Sequence, residues 1–213
     1  MATSLNRFNS LSAILHGALR MSCHVPSIIP DYWRSKGNGV MTVSLHTVVV
    51  GTYKQMLPQV LWVMDKAEAH CAEIGRSPDT LGGARLAPDM WTLAKQISQC
   101  AHHSARAIEA VRSGAFSPDP GPIPDDLALV RKEIEEAITL INLVDPTELD
   151  AISDKTVEFR AGKYSMTFDA ADFLLTFSLP NFYFHVSVTY NIIRSEGVSI
   201  GKADFIGRMR NRK

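Results

Sequence analysis

Seven histidines and three cysteines are the side chains in this 213-residue chain best suited to proton transfer, metal ligation or nucleophilic attack. His185 stands out among them. It lies four residues after Asn181, so on a helix the two share a face. An imidazole with an ordinary pKa near 6.5 suits general acid or base catalysis at neutral pH, although a histidine satisfied by core hydroxyls or backbone would read the same way. Tyr183 and Tyr190 flank it as candidates for the same cavity or as plain packing around Pro180. His102 and His103 are adjacent, and neighbouring helical residues point about 100° apart, so at most one of them faces an interior. Cys100 is a nucleophile only if its pKa is lowered, and otherwise a small buried hydrophobe. Cys23, Cys71 and Cys100 are too few and too scattered for a disulfide framework or a C-x-x-C site. That usage fits a reducing, cytoplasmic setting.

Helical periodicity dominates the elements that must carry these residues. From His46 to about Ile74 the apolar positions recur at three and four, with Pro58 expected to kink or divide the helix and Gly75 to Pro78 to end it. A second helix is expected after Pro88, capped by Asp89 and running through Trp91, Leu93, Ala94, Ile97, Ala101 and Ile108 to about Ser113. The Pro/Gly-rich stretch 114–124 reads as the longest loop. A third helix runs from Pro124 or Asp125 to about Leu143. Alternation at 155–160 and 164–168 about Gly162 reads as a hairpin, and a fourth helix starts at Asp169, is broken or kinked by Pro180 and closes at Gly197. The expected fold is all-α: a four-helix bundle with one small hairpin before the last helix.

Formal charge sums to zero, but unevenly. Residues 1–40 carry Arg7, Arg20, Arg34 and Lys36 against Asp31 alone, the tail carries Arg208, Arg210, Arg212 and Lys213, and the part between is acidic. An acidic body repels phosphate backbones, so no nucleic acid is expected as partner. Mean hydropathy of -0.01 and the lack of a long apolar run argue against a membrane span. Residues 1–30 hold no Asp or Glu, several Ser and two Arg, the composition of a mitochondrial presequence; Met41, just after Gly37-Asn38-Gly39, favours reading 1–40 as an extension or a mis-called start. The chain thus divides into an extension at 1–40, a domain at 41–207 and a basic tail at 208–213.

Four segments carry a family resemblance: Asp65-Lys66-Ala67-Glu68-Ala69-His70, Ala84-Arg85-Leu86-Ala87-Pro88-Asp89-Met90, Leu179-Pro180-Asn181-Phe182-Tyr183-Phe184-His185 and Gly201-Lys202-Ala203-Asp204-Phe205-Ile206-Gly207. Together they resemble a domain-of-unknown-function family of the DinB/YfiT-like helical-bundle superfamily, over about residues 41–207. Members of that superfamily commonly hold a divalent metal with three histidines, one on helix two and an H-x-x-x-H pair on helix four, and some use it in thiol transfer or hydrolysis. Carried onto this chain, the resemblance puts Gln99, Asn181 and His185 at those positions. Only one is a histidine, and amides are weak ligands for such metals, so no metal and no cofactor are expected. The leading expectation is a domain that binds, or turns over, an unknown small molecule in a metal-free polar pocket lined by Gln99, Asn181, Tyr183, Tyr190 and His185, with His185 as the catalytic group. A divalent-metal-dependent thiol transferase or hydrolase and a non-catalytic dimeric interaction module are the alternatives. Self-association as a homodimer is expected from bundles of this class. Arg85 is expected to pair with Asp65 or Glu68, or to meet a ligand anion.

Overall fold

Apolar residues at helical spacing bring the first long helix together where the periodicity predicts it. In the computed structural model, which describes residues 43–118, 121 and 123–210, a π turn at His46–Val50 leads into α1 (Gly51–Glu73), burying Tyr53, Leu57, Val60, Met64 and Ala67 along one stripe. Pro58 sits inside α1 and does not divide it. The second helix starts later than its proline signal implied. Thr92, whose hydroxyl accepts from the Lys95 N–H at 3.5 Å, is the N-cap of α2 (Leu93–Ala101), whereas Asp89 lies in a turn closed by Met90 N–H to the Ala87 carbonyl at 3.0 Å. Trp91, expected on this helix, precedes it on the loop and is half exposed.

α2 continues through a π turn at His102–Arg106 into α3 (Ala107–Ser113), which Gly114 ends at φ 81°, a left-handed conformation that favours glycine. α4 (Leu127–Asn142) is capped by Asp126, which accepts from Ala128 N–H at 2.8 Å and Leu129 N–H at 3.1 Å. A short α5 (Glu148–Ala151) leads to the sheet. Its strands β2 (Thr156–Ala161) and β3 (Tyr164–Asp169) pair antiparallel, from Thr156 opposite Asp169 to Ala161 opposite Tyr164.

The sheet has a third member that the sequence reading assigned to a loop: β1 (Ala115–Phe116) pairs parallel with β2 through Ala115 opposite Glu158 and Phe116 opposite Phe159. A two-residue strand is too short to show alternation. What holds it is Phe116, buried with its ring 5.2 Å from Phe173 and 5.6 Å from Phe177. The fold is therefore mainly helical with a small three-stranded sheet, rather than all-α with a lone hairpin.

The last long helical run comprises α6 (Ala170–Asp172), a π turn at Phe173–Ser178 and α7 (Leu179–Ser195), with Pro180 in the first turn of α7. A proline there gives up only an amide that the π register already displaces. α2 packs on α7 and α4, while α1 packs on α4, α7 and the short α8 (Lys202–Ile206). Trp62 Nε1 donates to Asp204 at 2.8 Å and Gln55 Nε2 to the Ile206 carbonyl at 3.0 Å, fastening α8 to α1.

Arg131 of α4, not Arg85, takes both carboxylates of α1, Asp65 at 2.9 Å and Glu68 at 2.8 Å. In the basic tail, Arg210 donates to the Thr47 carbonyl at 2.8 Å. Among the described residues no helix is long and apolar enough to cross a membrane. The expectations for residues 1–40, for Cys23 and for tail residues 211–213 lie outside the described residues.

Candidate functional site

Residues three and four apart share a helical face, so Gln96, Gln99 and His103 form one polar stripe along α2 and the π turn that follows. All three are buried, in a helix that packs on α7. α7 answers with His185, itself only 4% exposed. The His185 Nδ1 and the Gln96 Oε1 are 2.7 Å apart. Because a carbonyl oxygen only accepts, this bond requires the proton on Nδ1 and leaves Nε2 with its lone pair. The imidazole is further held by stacking: the His103 ring lies 5.4 Å away at 12° and the Trp91 ring 5.8 Å away at 11°. Phe184 meets it edge-on at 5.2 Å.

The π turns bracket this seam. The His103 carbonyl accepts from Ser178 Oγ at 2.7 Å, and Ser178 closes the π turn at Phe173–Ser178. Its single hydroxyl proton is thereby used, so the Tyr53 hydroxyl, 2.8 Å away and fully buried, is the donor to Ser178. A chain of two hydrogen bonds thus ties α1 to the turn that carries His103.

Burial holds both stacked imidazoles neutral at pH 7. His185 is lowered to about 4, by desolvation first and then by the nearby His102 and Lys95, and His103 to about 3, by desolvation and then by His185 and His102. Lys95 directs its ammonium to the Gly121 carbonyl at 2.9 Å and over the Trp91 ring at 5.8 Å. Cys100 is fully buried, donates to the Gln96 carbonyl at 3.3 Å and has its pKa pushed up to about 12. It is a packed thiol and not an activated nucleophile. On the stripe of Gln96, Gln99 and His103, two buried polar atoms, the Gln99 Nε2 and the His103 Nδ1, have no hydrogen-bond partner among the described residues.

Of the five residues singled out from the sequence, Gln99 and His185 lie on the facing helices α2 and α7. Asn181 is half-buried and spends its amide N–H on the Phe177 carbonyl at 2.8 Å, one turn back. Tyr183 is 43% exposed. Tyr190 donates to the Ile200 carbonyl at 3.3 Å and packs edge-on against Phe205 of α8 at 5.7 Å. The sequence reading missed Gln96, Trp91 and Ser178 and gave His103 no partner. A legible signal existed for two of these, since polar Gln96 and His103 recur with Gln99 on a stripe of α2 that must be buried. His102, the other adjacent histidine, is half-buried and lines a separate cleft of about 500 Å³ together with Ala101, Ala105, Glu133, Glu136 and Leu140.

A divalent metal fits these residues poorly. Gln99 and Asn181 offer only amide oxygens, weak ligands for a transition metal, beside the single imidazole of His185. Among the described residues no three His, Cys, Asp or Glu side chains form a metal-holding group.

Residues 45–206 match the family model for a domain of unknown function, DUF1993. The crystal structure of a DinB family member protein from Shewanella denitrificans, at 1.83 Å resolution, superimposes with a TM-score of 0.68 at 24% sequence identity, covering 79% of this chain and 95% of that one. No curated protein matches the chain.

Proposed function

The chain belongs to the DUF1993 family and has a DinB-like helical fold, and on that premise we propose that it binds a small polar molecule at a metal-free site between α2 and α7, with His185 as the proton-exchanging group. This reading takes α1, the α2–α3 run, α4 and the α6–α7 run as a four-helix bundle, with the site in its interior. The observation that carries it is the pair of buried orphans. Leaving a polar group unpaired inside a protein costs about 1–3 kcal/mol, so the Gln99 amide and the His103 Nδ1 are groups held for a partner that the chain does not itself supply. His185 adds a chemical function. Gln96 holds it in one tautomer, and its Nε2 keeps a lone pair able to accept a proton from a bound molecule.

Asn181, Tyr183 and Tyr190 are less central to this reading than the sequence alone suggested, and Gln96 and His103 take their places. Entry would pass Trp91 and Phe184, which border the imidazole and are each about half exposed.

A screen of small polar fragments against the wild-type chain and His185→Gln tests the proposal. At least one fragment should bind the wild type and lose tenfold or more in affinity in the variant. Fragments that bind both forms equally would overturn the site. Elemental analysis of protein purified without a histidine tag tests the metal-free assignment, and one equivalent of transition metal would overturn it.

A further inference from the structure

Resting on that reading, we propose that the α2–α7 site takes an uncharged hydroxyl group, supplied by a small alcohol, and rejects carboxylates and ammonium ions. The two orphans set the requirement. Gln99 Nε2 is an amide nitrogen and therefore a donor that needs an acceptor. His103 is neutral, and with its proton on Nε2, the more stable tautomer of an unconstrained imidazole, its buried Nδ1 presents a lone pair that needs a donor. Gln99 and His103 are four residues apart, which sets their two orphaned atoms on one face of the α2 run. A hydroxyl satisfies both ends at once, accepting from Gln99 and donating to His103.

Charged groups satisfy only one end. A carboxylate accepts from Gln99 but sets its own lone pairs against the imidazole nitrogen, and an ammonium donates to His103 but opposes the Gln99 amide protons. The surroundings add a second penalty. Gln96, Gln99, His103 and His185 are neutral at pH 7, and Trp91 and Phe184 present rings, so a charge entering here would lose its water with no counter-charge on these six groups. The buried Lys95 ammonium donates to the Gly121 carbonyl and acts on His185, which adds repulsion against an ammonium and leaves the lone-pair clash at His103 Nδ1 to exclude a carboxylate.

The test uses the full chain labelled with ¹⁵N-histidine, whose long-range ¹H–¹⁵N spectrum at pH 7 reads each ring nitrogen as protonated or bare. His103 Nδ1 should be bare. Titration with 1-propanol should shift it saturably, and the apparent affinity should fall at least tenfold in Gln99→Leu, which removes the donor without leaving an orphan. A protonated His103 Nδ1 would overturn the proposal. So would propionate or propylammonium shifting the resonance at lower concentration than 1-propanol, an outcome that leaves the small-molecule site itself standing. A spectrum in which none of the three probes moves His103 or His185 also overturns it. Failure of the underlying site shows separately, as fragment binding indifferent to His185→Gln.

Discussion

His185 on α7 and Gln96 on α2 are joined by a 2.7 Å hydrogen bond buried in the seam between the two helices. The bond selects the imidazole tautomer and fastens the helices to each other. Gln96→Met keeps the volume but orphans the His185 Nδ1–H, and should cost about 1–3 kcal/mol in urea denaturation. The double variant Gln96→Met/His185→Leu removes both partners, so its cost should fall well below the sum of the single costs. Additive costs would show that the two side chains do not interact.

Acid should weaken the fold through the same residues. His185 and His103 titrate at about 4 and about 3 when folded, against about 6.5 when unfolded, so between those values the unfolded chain binds more protons. Their contribution to stability is complete above about pH 6.5 and is lost as the pH falls from there through the folded values. Two groups titrating together give a slope of up to about 2.7 kcal/mol per pH unit. Melting temperature measured from pH 7 to pH 4 should fall steeply in the wild type and more gently in His103→Leu. Parallel curves would assign the acid response elsewhere.

Gln99→Leu should raise the melting temperature in the absence of any added molecule, because it replaces a buried donor that lacks a partner by an apolar side chain of similar length. An increase of a few degrees is expected by differential scanning calorimetry. A decrease would show that the amide is already satisfied in the unliganded protein.

Ser178→Ala should be more damaging than Tyr53→Phe. The serine accepts from Tyr53 and donates to the His103 carbonyl, so its loss strands the buried Tyr53 hydroxyl and removes the tie to the His103 turn, whereas Tyr53→Phe leaves Ser178 its bond to that carbonyl. Costs of roughly 2–4 and 1 kcal/mol respectively are expected from urea denaturation. Equal costs would break the assigned direction of the hydrogen-bond chain.

Local sequence determined the long helices. Apolar spacing in α1, the apolar stripe of α4 and the alternation on either side of Gly162 each reflect a preference that a single element states for itself, because burying one face is a periodic demand on one segment. The family resemblance holds as well, since residues 45–206 match the DUF1993 model and a DinB family member shares the fold. Only tertiary structure decided the partners. Gln96 and His185 are 89 residues apart, and nothing in either neighbourhood names the other. β1 exists because Phe116 finds an aromatic cluster built by residues far along the chain, and Asp65 and Glu68 take Arg131 rather than Arg85 because α4, not the loop before α2, lies alongside α1. Directional contacts between distant segments depend on where helices cross and on the register of their π turns, and a one-dimensional pattern of polarity carries neither quantity.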